Sequence, residues 1–486
     1  MRINTNRDRN HNDTLTDRCG WVFLIIACLA AYYPILFNDF LYHWDDQWMV
    51  MNRFTESGIS LNNLWSILTQ FYHGQYGPVN EYMYVFIYSI FGYNPMAFHA
   101  ASLILHIGNV CLAYIIIKRI FQLTNRMSFD HAPFVAFITA LLFAVHPMNV
   151  ESVAWVSASK ILVYSFFYLL STYTLIIYLE KKKLVYYILS LLLFAFSFGG
   201  KEQAVIFPVW LLMLYWLVGY SFKARKVWIQ VAPFFMMALI FGIVSMSAQA
   251  SGGMGMFANE VTYPLWQRFI LGCYSIVEYI VKFTIPFNLL YIYPFPMLIG
   301  APLPNWMLLY PAMILVILMS LWNYLKQIPL SVGLTFFLIH IALVLHIVPL
   351  SRFSVIADRY IYLPCIGLAF IIAFYFVRFL AYKKGKYRKI AIGCIVCITI
   401  CLGIYSNIRC RDWKDTDSIK REFRELLEKR DDYVAPEFEK LLEDEKEDNS
   451  GTDVSETDEK LESNDRSKIF QKREDTQCVF YNSINF

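Results

Sequence analysis

Residues 20–37, GWVFLIIACLAAYYPILF, carry no charge and lead straight into Asn38-Asp39-Phe40-Leu41-Tyr42-His43-Trp44-Asp45-Asp46-Gln47-Trp48. Eighteen apolar residues in helical form cross most of a hydrocarbon core of about 30 Å. Similar runs recur along the 486 residues, of which 57% are hydrophobic and 16% charged. The mean hydropathy is +0.44. So little charge cannot cover a soluble surface of this length. The chain therefore reads as an all-α polytopic membrane protein, and nothing in it points to nucleic acid as a partner. No small-x-small site follows residue 37 and further spans come after it, so the first run reads as a span rather than a cleaved signal.

Charge in the short loops sets the orientation. Arg2, Arg7, Arg9 and Arg18 mark residues 1–19 as a cytoplasmic leader, which delivers Asp45-Asp46 to the non-cytoplasmic side. Further spans are expected near 95–117, 133–145, 161–179, 184–199, 203–219, 227–247, 306–325, 328–348, 359–380 and 389–408, about eleven in all. The first outer loop, 38–95, is too long for a simple connection. Its two weakly amphipathic pieces, 60–72 and 79–91, are expected to be interfacial helices. The apolar stretch 265–287 carries Arg268, Glu278 and Lys282. If it crossed, the basic cluster at 383–389 would land outside, so it reads as non-spanning.

The membrane module is expected to run over 20–410, followed by a tail over 411–486. The tail holds 14 Lys+Arg against 23 Asp+Glu, a net of −9, which leaves +13 on the rest. Its first part, to about 446, suits exposed helices, and the part beyond about 449 has a disordered composition. Ten cysteines show no metal-ligand spacing. Cys394, Cys397 and Cys401 share a face of an apolar span and read as packing residues.

The outer side gathers Asp45, Asp46, Glu81, His146, Glu151, Lys160, Lys201, Glu202, Arg268, Lys282, Arg352, Asp358 and Arg359. Mixed acids and bases fed by several loops suit a cleft that holds an anionic ligand beside a general base. Displacing a lipid phosphate from a sugar needs cations to stabilise the charge that develops. Activating an acceptor hydroxyl needs a carboxylate within hydrogen-bond reach. Trp44, Trp48, Tyr42 and Trp155 offer stacking faces, and would equally serve as an interfacial aromatic belt. On residues alone the Asp pair is open between a catalytic dyad, a solvated loop and a helix N-cap. His99, His106 and Asn109 read as an interhelical hydrogen-bond seam, with His340 and His346 alike.

Six ordered pieces resemble the GT-C superfamily of polyprenyl-phosphate-sugar glycosyltransferases, most nearly its transmembrane, tetratricopeptide-repeat-containing O-mannosyltransferases and their bacterial relatives. They are Trp44-Asp45-Asp46; Phe91-Gly92-Tyr93-Asn94-Pro95 with His99 and His106; His146-Pro147-Met148-Asn149-Val150-Glu151-Ser152-Val153-Ala154-Trp155; Lys201-Glu202-Gln203-Ala204; Tyr291-Ile292-Tyr293-Pro294; and Ala357-Asp358-Arg359-Tyr360-Ile361-Tyr362. The resemblance implies a GT-C helical module with Asp45 as base and Asp46 as its partner. It implies donor or substrate contacts from His146, Glu151, Lys201, Glu202, Asp358 and Arg359, with Trp44 and Glu81 on the acceptor loop. Asn149 stands where relatives often have a second His, and the repeat array expected after Arg411-Asp412-Trp413 is replaced by the acidic tail.

The expected activity is inverting transfer of a hexose, mannose by resemblance, from a polyprenyl-phosphate donor to a hydroxyl on the non-cytoplasmic face. A protein Ser or Thr is the favoured acceptor, with lipid or glycan acceptors as alternatives. A divalent metal ion is left open, because the ligand count does not call for one. The setting would be a bacterial inner membrane or the endoplasmic reticulum. A lipid or glycan transporter is the rival reading, and it would place charges at mid-membrane.

Overall fold

A backbone amide in hydrocarbon has no water to bond, so an apolar run satisfies its own N–H and C=O groups by coiling into a helix. The computed structural model describes residues 13–42, 44–124, 126–127, 129, 131–251, 263–297, 302–347 and 354–427. All eleven expected stretches contain helix. Gly20–Phe37, Pro95–Leu123, Val156–Lys181, Arg225–Ser251, Cys365–Tyr382 and Lys386–Arg409 are long and apolar enough to cross a membrane alone. Ala132–Val145 and Pro147–Ala154 form a pair bent by 56°. Leu184–Phe198, Glu202–Val218, Asn305–Ser320 and Ile328–Val344 are shorter apolar helices. The chain is an all-α, multi-pass membrane protein. Among the described residues the strands are limited to one antiparallel pair, Tyr293–Pro294 with Ser354–Ile356.

The Pro95–Leu123 helix sits between Ser159–Lys181 and Ala132–Val145, and Cys365–Tyr382 packs on Ala132–Val145 and Ile328–Ile341. Its start is local chemistry: Asn94 accepts from the Met96 amide at 3.1 Å, and Pro95 fills a position that needs no donor. Lipid gives helices little hydrophobic reason to associate, so small residues and polar seams do the holding. Ser171 and Ser190 each donate to the other's carbonyl, at 2.7 and 2.9 Å. His106 and Asn109 meet the Tyr362 hydroxyl at 2.8 and 3.2 Å, and His340 meets that of Tyr168 at 2.7 Å. These are the seams expected of them. His346 differs: it lies beyond its helix and its ring meets the Val355 carbonyl at 3.0 Å.

Two segments refine the sequence reading. Residues 146–160, expected as the outer loop between the 133–145 and 161–179 spans, are largely taken up by three short buried turns, Pro147–Asn149, Val150–Ala154 and Val156–Ala158, before the Ser159–Lys181 helix begins. The bend at His146-Pro147 folds them back into the helix ends. The Leu265–Thr284 helix packs on Leu309–Ser320, where Glu278 accepts from the Tyr310 hydroxyl at 3.4 Å and Tyr274 meets the Tyr310 ring at 5.0 Å, and it also meets the connecting segments. Arg268 donates to the Ile347 carbonyl at 2.9 Å, Ser275 to that of Val355 at 3.3 Å, and Phe283 stacks on His146 at 4.4 Å.

The first outer loop folds as Asp46–Met49, Arg53–Glu56, Leu61–Thr69 and Pro78–Phe91, so both amphipathic pieces are helices. The Pro78–Phe91 helix starts on the Gly199-Gly200 turn, whose Gly199 carbonyl accepts from Val79 and Asn80 at 2.8 and 3.2 Å. The chain divides into units Met1–Ile419 and Lys420–Phe486. Residues 411–419 thus stay with the module: Asn38 donates to the carbonyls of Cys410 and Trp413 at 2.9 and 3.0 Å, and Asp39 N to that of Lys414 at 2.9 Å. The expectations for residues 1–12, His43, Arg352 and the tail beyond 427 lie outside the described residues.

Candidate active site

Asp46 opens the single turn Asp46–Met49 and is fully buried. Its Oδ2 accepts from Leu41 N at 2.8 Å. Its Oδ1 accepts from Ser157 N at 2.9 Å and also from the Ser157 hydroxyl. Three protein donors thus occupy this carboxylate and fasten the first loop to the buried segment. Burial pushes it up to about 6 against the pull of those bonds.

Asp45 is arranged differently. It occupies the N-cap position, yet its side chain caps nothing, so the capping alternative does not hold. It is half-buried, and its side chain bonds with that of Trp48. Burial raises its pKa, while Lys160 and then Arg359 pull it down. Glu81 belongs to the same cluster. Asn52 donates to it at 3.1 Å, and burial pushes it up to about 7 against Asn52 and Lys160. Lys160, which donates to Gln75 at 3.0 Å, therefore acts on both carboxylates.

Arg359 is held by a buried acid. Glu151, 0% exposed, accepts from Arg359 N at 2.7 Å and pairs with the guanidinium. Arg359 also lies over Trp155 at 5.5 Å and over Tyr360 at 4.8 Å. Lys201 lies over the same Tyr360 ring at 5.2 Å, so these two cations converge. Edge-to-face and stacked rings link this point back to the Asp pair. Trp44 meets Tyr291 at 5.8 Å, Tyr291 meets Trp413 at 6.4 Å, and Trp413 stacks on Trp155 at 5.7 Å. The indole nitrogen of Trp155 is buried and has no partner within the protein.

The expected site residues thus separate. Asp45, Asp46, Glu81, Trp44, Glu151, Lys201 and Arg359 are linked by these contacts. Asp358 is tied elsewhere, to Arg409 at 3.0 Å and the Tyr293 hydroxyl at 2.8 Å. His146 has both ring nitrogens in use, one on the Phe283 carbonyl at 2.8 Å and one on the Met148 amide at 3.3 Å. Glu202 starts the Glu202–Ile206 turn and acts electrostatically on Tyr164. Among the described residues no three His, Cys, Asp or Glu side chains are arranged to hold a metal ion. Ser157 and Arg409 carry no sequence signal for their roles. Tyr360 and Tyr291 lie inside the ordered motifs, which were the available signal for them.

Chemically, a partly buried carboxylate under the influence of two cations can take a proton, and Arg359 and Lys201 can stabilise an anion. The aromatic series offers flat faces between the two.

No protein-family model matches the chain. It is similar to the human "Protein O-mannosyl-transferase TMTC4", 30% identical over 158 residues, which is 30% of this chain and 21% of that protein. It is also similar to the human "Protein O-mannosyl-transferase TMTC1", 33% identical over 138 residues, 26% of this chain and 14% of that one. The matches therefore span about a fifth or less of these relatives' length. Among solved structures, the Archaeoglobus fulgidus oligosaccharyltransferase tethered with an acceptor peptide matches with a TM-score of 0.40. It is 12% identical and covers 87% of this chain and 58% of that one. The resemblance to O-mannosyltransferases read from short ordered motifs is thus matched by sequence similarity over somewhat under a third of this chain.

Proposed function

We propose that this chain is a membrane glycosyltransferase that moves a hexose, mannose by the likeness of its relatives' names, from a polyprenyl phosphate to a Ser or Thr hydroxyl of a protein on the non-cytoplasmic face. Asp45 takes the acceptor proton as the hydroxyl oxygen attacks the anomeric carbon. The bond from that carbon to the phosphate oxygen breaks with inversion, and Arg359 and Lys201 stabilise the departing phosphate. Asp46 is a positioning residue, because protonating it would set an O–H against donors that already point at it. Glu151 orients Arg359.

One contrast carries the reading: within a single Asp pair, one carboxylate is fully buried and occupied by three protein donors, and the other is only partly buried and under the influence of two cations. The placement of charge also supports it over transport. The Asp, Glu, Lys and Arg residues of the described spans lie near helix ends, not at mid-membrane.

Purified protein in liposomes, given a short-chain polyprenyl-phosphate mannose and a Ser/Thr-rich peptide, should mannosylate the peptide, and Asp45→Asn protein should not. Transfer by Asp45→Asn protein at the parent's rate would sink the proposal.

A further inference from the structure

Between the Leu61–Thr69 and Pro78–Phe91 helices the chain reverses at Tyr72-His73-Gly74-Gln75. Tyr72 N donates to the Gln75 carbonyl at 3.2 Å and Gln75 N donates back to that of Tyr72 at 2.9 Å. The two central residues have φ of +45° and +68°. Two successive positive φ values with this pairing make a type I′ turn, whose first central position suits Asn, Asp or Gly. A histidine there sets its Cβ against the backbone, and such strain persists where the surroundings use the residue.

The surroundings here are the partners of Asp45. His73 is exposed, and its ring lies 4.3 Å from that of Tyr72 and 5.3 Å from that of Trp48. Trp48 is the side chain that bonds Asp45. Gln75, on the far arm of the turn, holds Lys160, the cation that acts on both Asp45 and Glu81. Both arms of the turn therefore lead to the group that takes the proton. The donor-side cations, Arg359 and Lys201, come from other segments of the chain.

We propose that this turn is the acceptor lip of the site and that His73 binds the acceptor polypeptide. The inference rests on the glycosyl-transfer reading above. An exposed imidazole at the tip of the turn can exchange one hydrogen bond with a peptide group of an extended chain. The Trp48 and Tyr72 rings flank it with flat apolar faces. His73 thus sets which acceptor chains bring a hydroxyl to Asp45, without touching the lipid-linked sugar.

His73→Asn is the informative variant, because Asn suits the turn better than His and removes only the imidazole. Parent and variant are compared for transfer with the mannose donor and the Ser/Thr-rich peptide, and for direct binding of that peptide by calorimetry. The variant should fold with an equal or higher thermal midpoint. Its peptide KM and dissociation constant should rise about tenfold, the worth of one hydrogen bond, with the donor KM unchanged. If neither protein transfers mannose but the parent alone binds the peptide tightly, the lip stands and the transfer reading falls. Peptide binding equal in both proteins, absent from the parent, or lost together with donor affinity overturns the lip.

Discussion

Neutralising each member of the Asp45–Asp46 pair in turn should produce two different enzymes. In Asp45→Asn the proton acceptor is gone, and loss of a general base lowers kcat by about 10²–10⁴ while both KM values stay near the parent's. In Asp46→Asn the carboxamide keeps an oxygen for Ser157 but turns its NH2 toward Leu41 N, which already donates there at 2.8 Å. That buried donor left unmet costs about 1–3 kcal/mol. Removing a buried charge whose carboxyl sits at about 6 returns an amount of similar order. The thermal midpoint should therefore move little, while the loop shifts and kcat falls by about 10–10² through misplacement of Asp45. The pH profile separates the two variants. A base works ionised, so the parent rate rises with pH through the raised Asp45 pKa and then levels. Asp46→Asn should keep that acid limb at a lower plateau, and Asp45→Asn should lose it. An acid limb abolished by Asp46→Asn, with Asp45→Asn retaining most of the rate, would refute the division of labour.

Lys160→Met removes the largest influence holding the Asp45 pKa down, so the acid limb of kcat/KM should move to higher pH. A profile that does not shift would show that Lys160 does not govern Asp45. Glu81 has a folded-state pKa of about 7 against an ordinary 4.5. Its contribution to stability is complete below the ordinary value and is lost as pH rises through about 7. Glu81→Gln should thus match the parent in acid and exceed it by on the order of 2 kcal/mol at about pH 8, read from denaturation across pH. A Cβ on Gly200 would come within 2.6 Å of Tyr164 N, which is backbone and cannot swing away. Gly200→Ala should therefore destabilise the protein by about 1–3 kcal/mol and raise the donor KM through Lys201, as followed by thermal unfolding and transfer kinetics.

Hydropathy made the bundle legible, because an apolar run in lipid has few choices besides helix. The position of the Asp pair after the first span was equally visible. The division of work inside the pair was not, since it depends on Ser157, 111 residues away. Glu151 and Asp358 look in sequence like loop acids open to a ligand. The fold spends them on Arg359 and Arg409, and Arg409 at the end of an apolar helix reads as an ordinary flanking charge. His146 and Glu151 stand among the outer-side charges in sequence, but residues 146–158 are buried in turns that follow the bend after Ala132–Val145. His73 went unread because a type I′ turn normally shows itself as Asn-Gly, and this one does not.

The bonds from Asn38 to the carbonyls of Cys410 and Trp413 cross 372 and 375 residues. A ribosome adding about 5–20 residues per second needs roughly 20–75 s to cover that interval. Through that time the loop bearing the Asp pair has been translated, while the segment that fastens its root has not. The Asn38 side chain, 5% exposed in the finished protein, waits without the acceptors that will bury it. The segment that ends the Lys386–Arg409 helix thus acts as a clasp on the first loop. Chains truncated before it would insert most of their helices yet leave that root unfastened, which ties a finished site to a fully translated module.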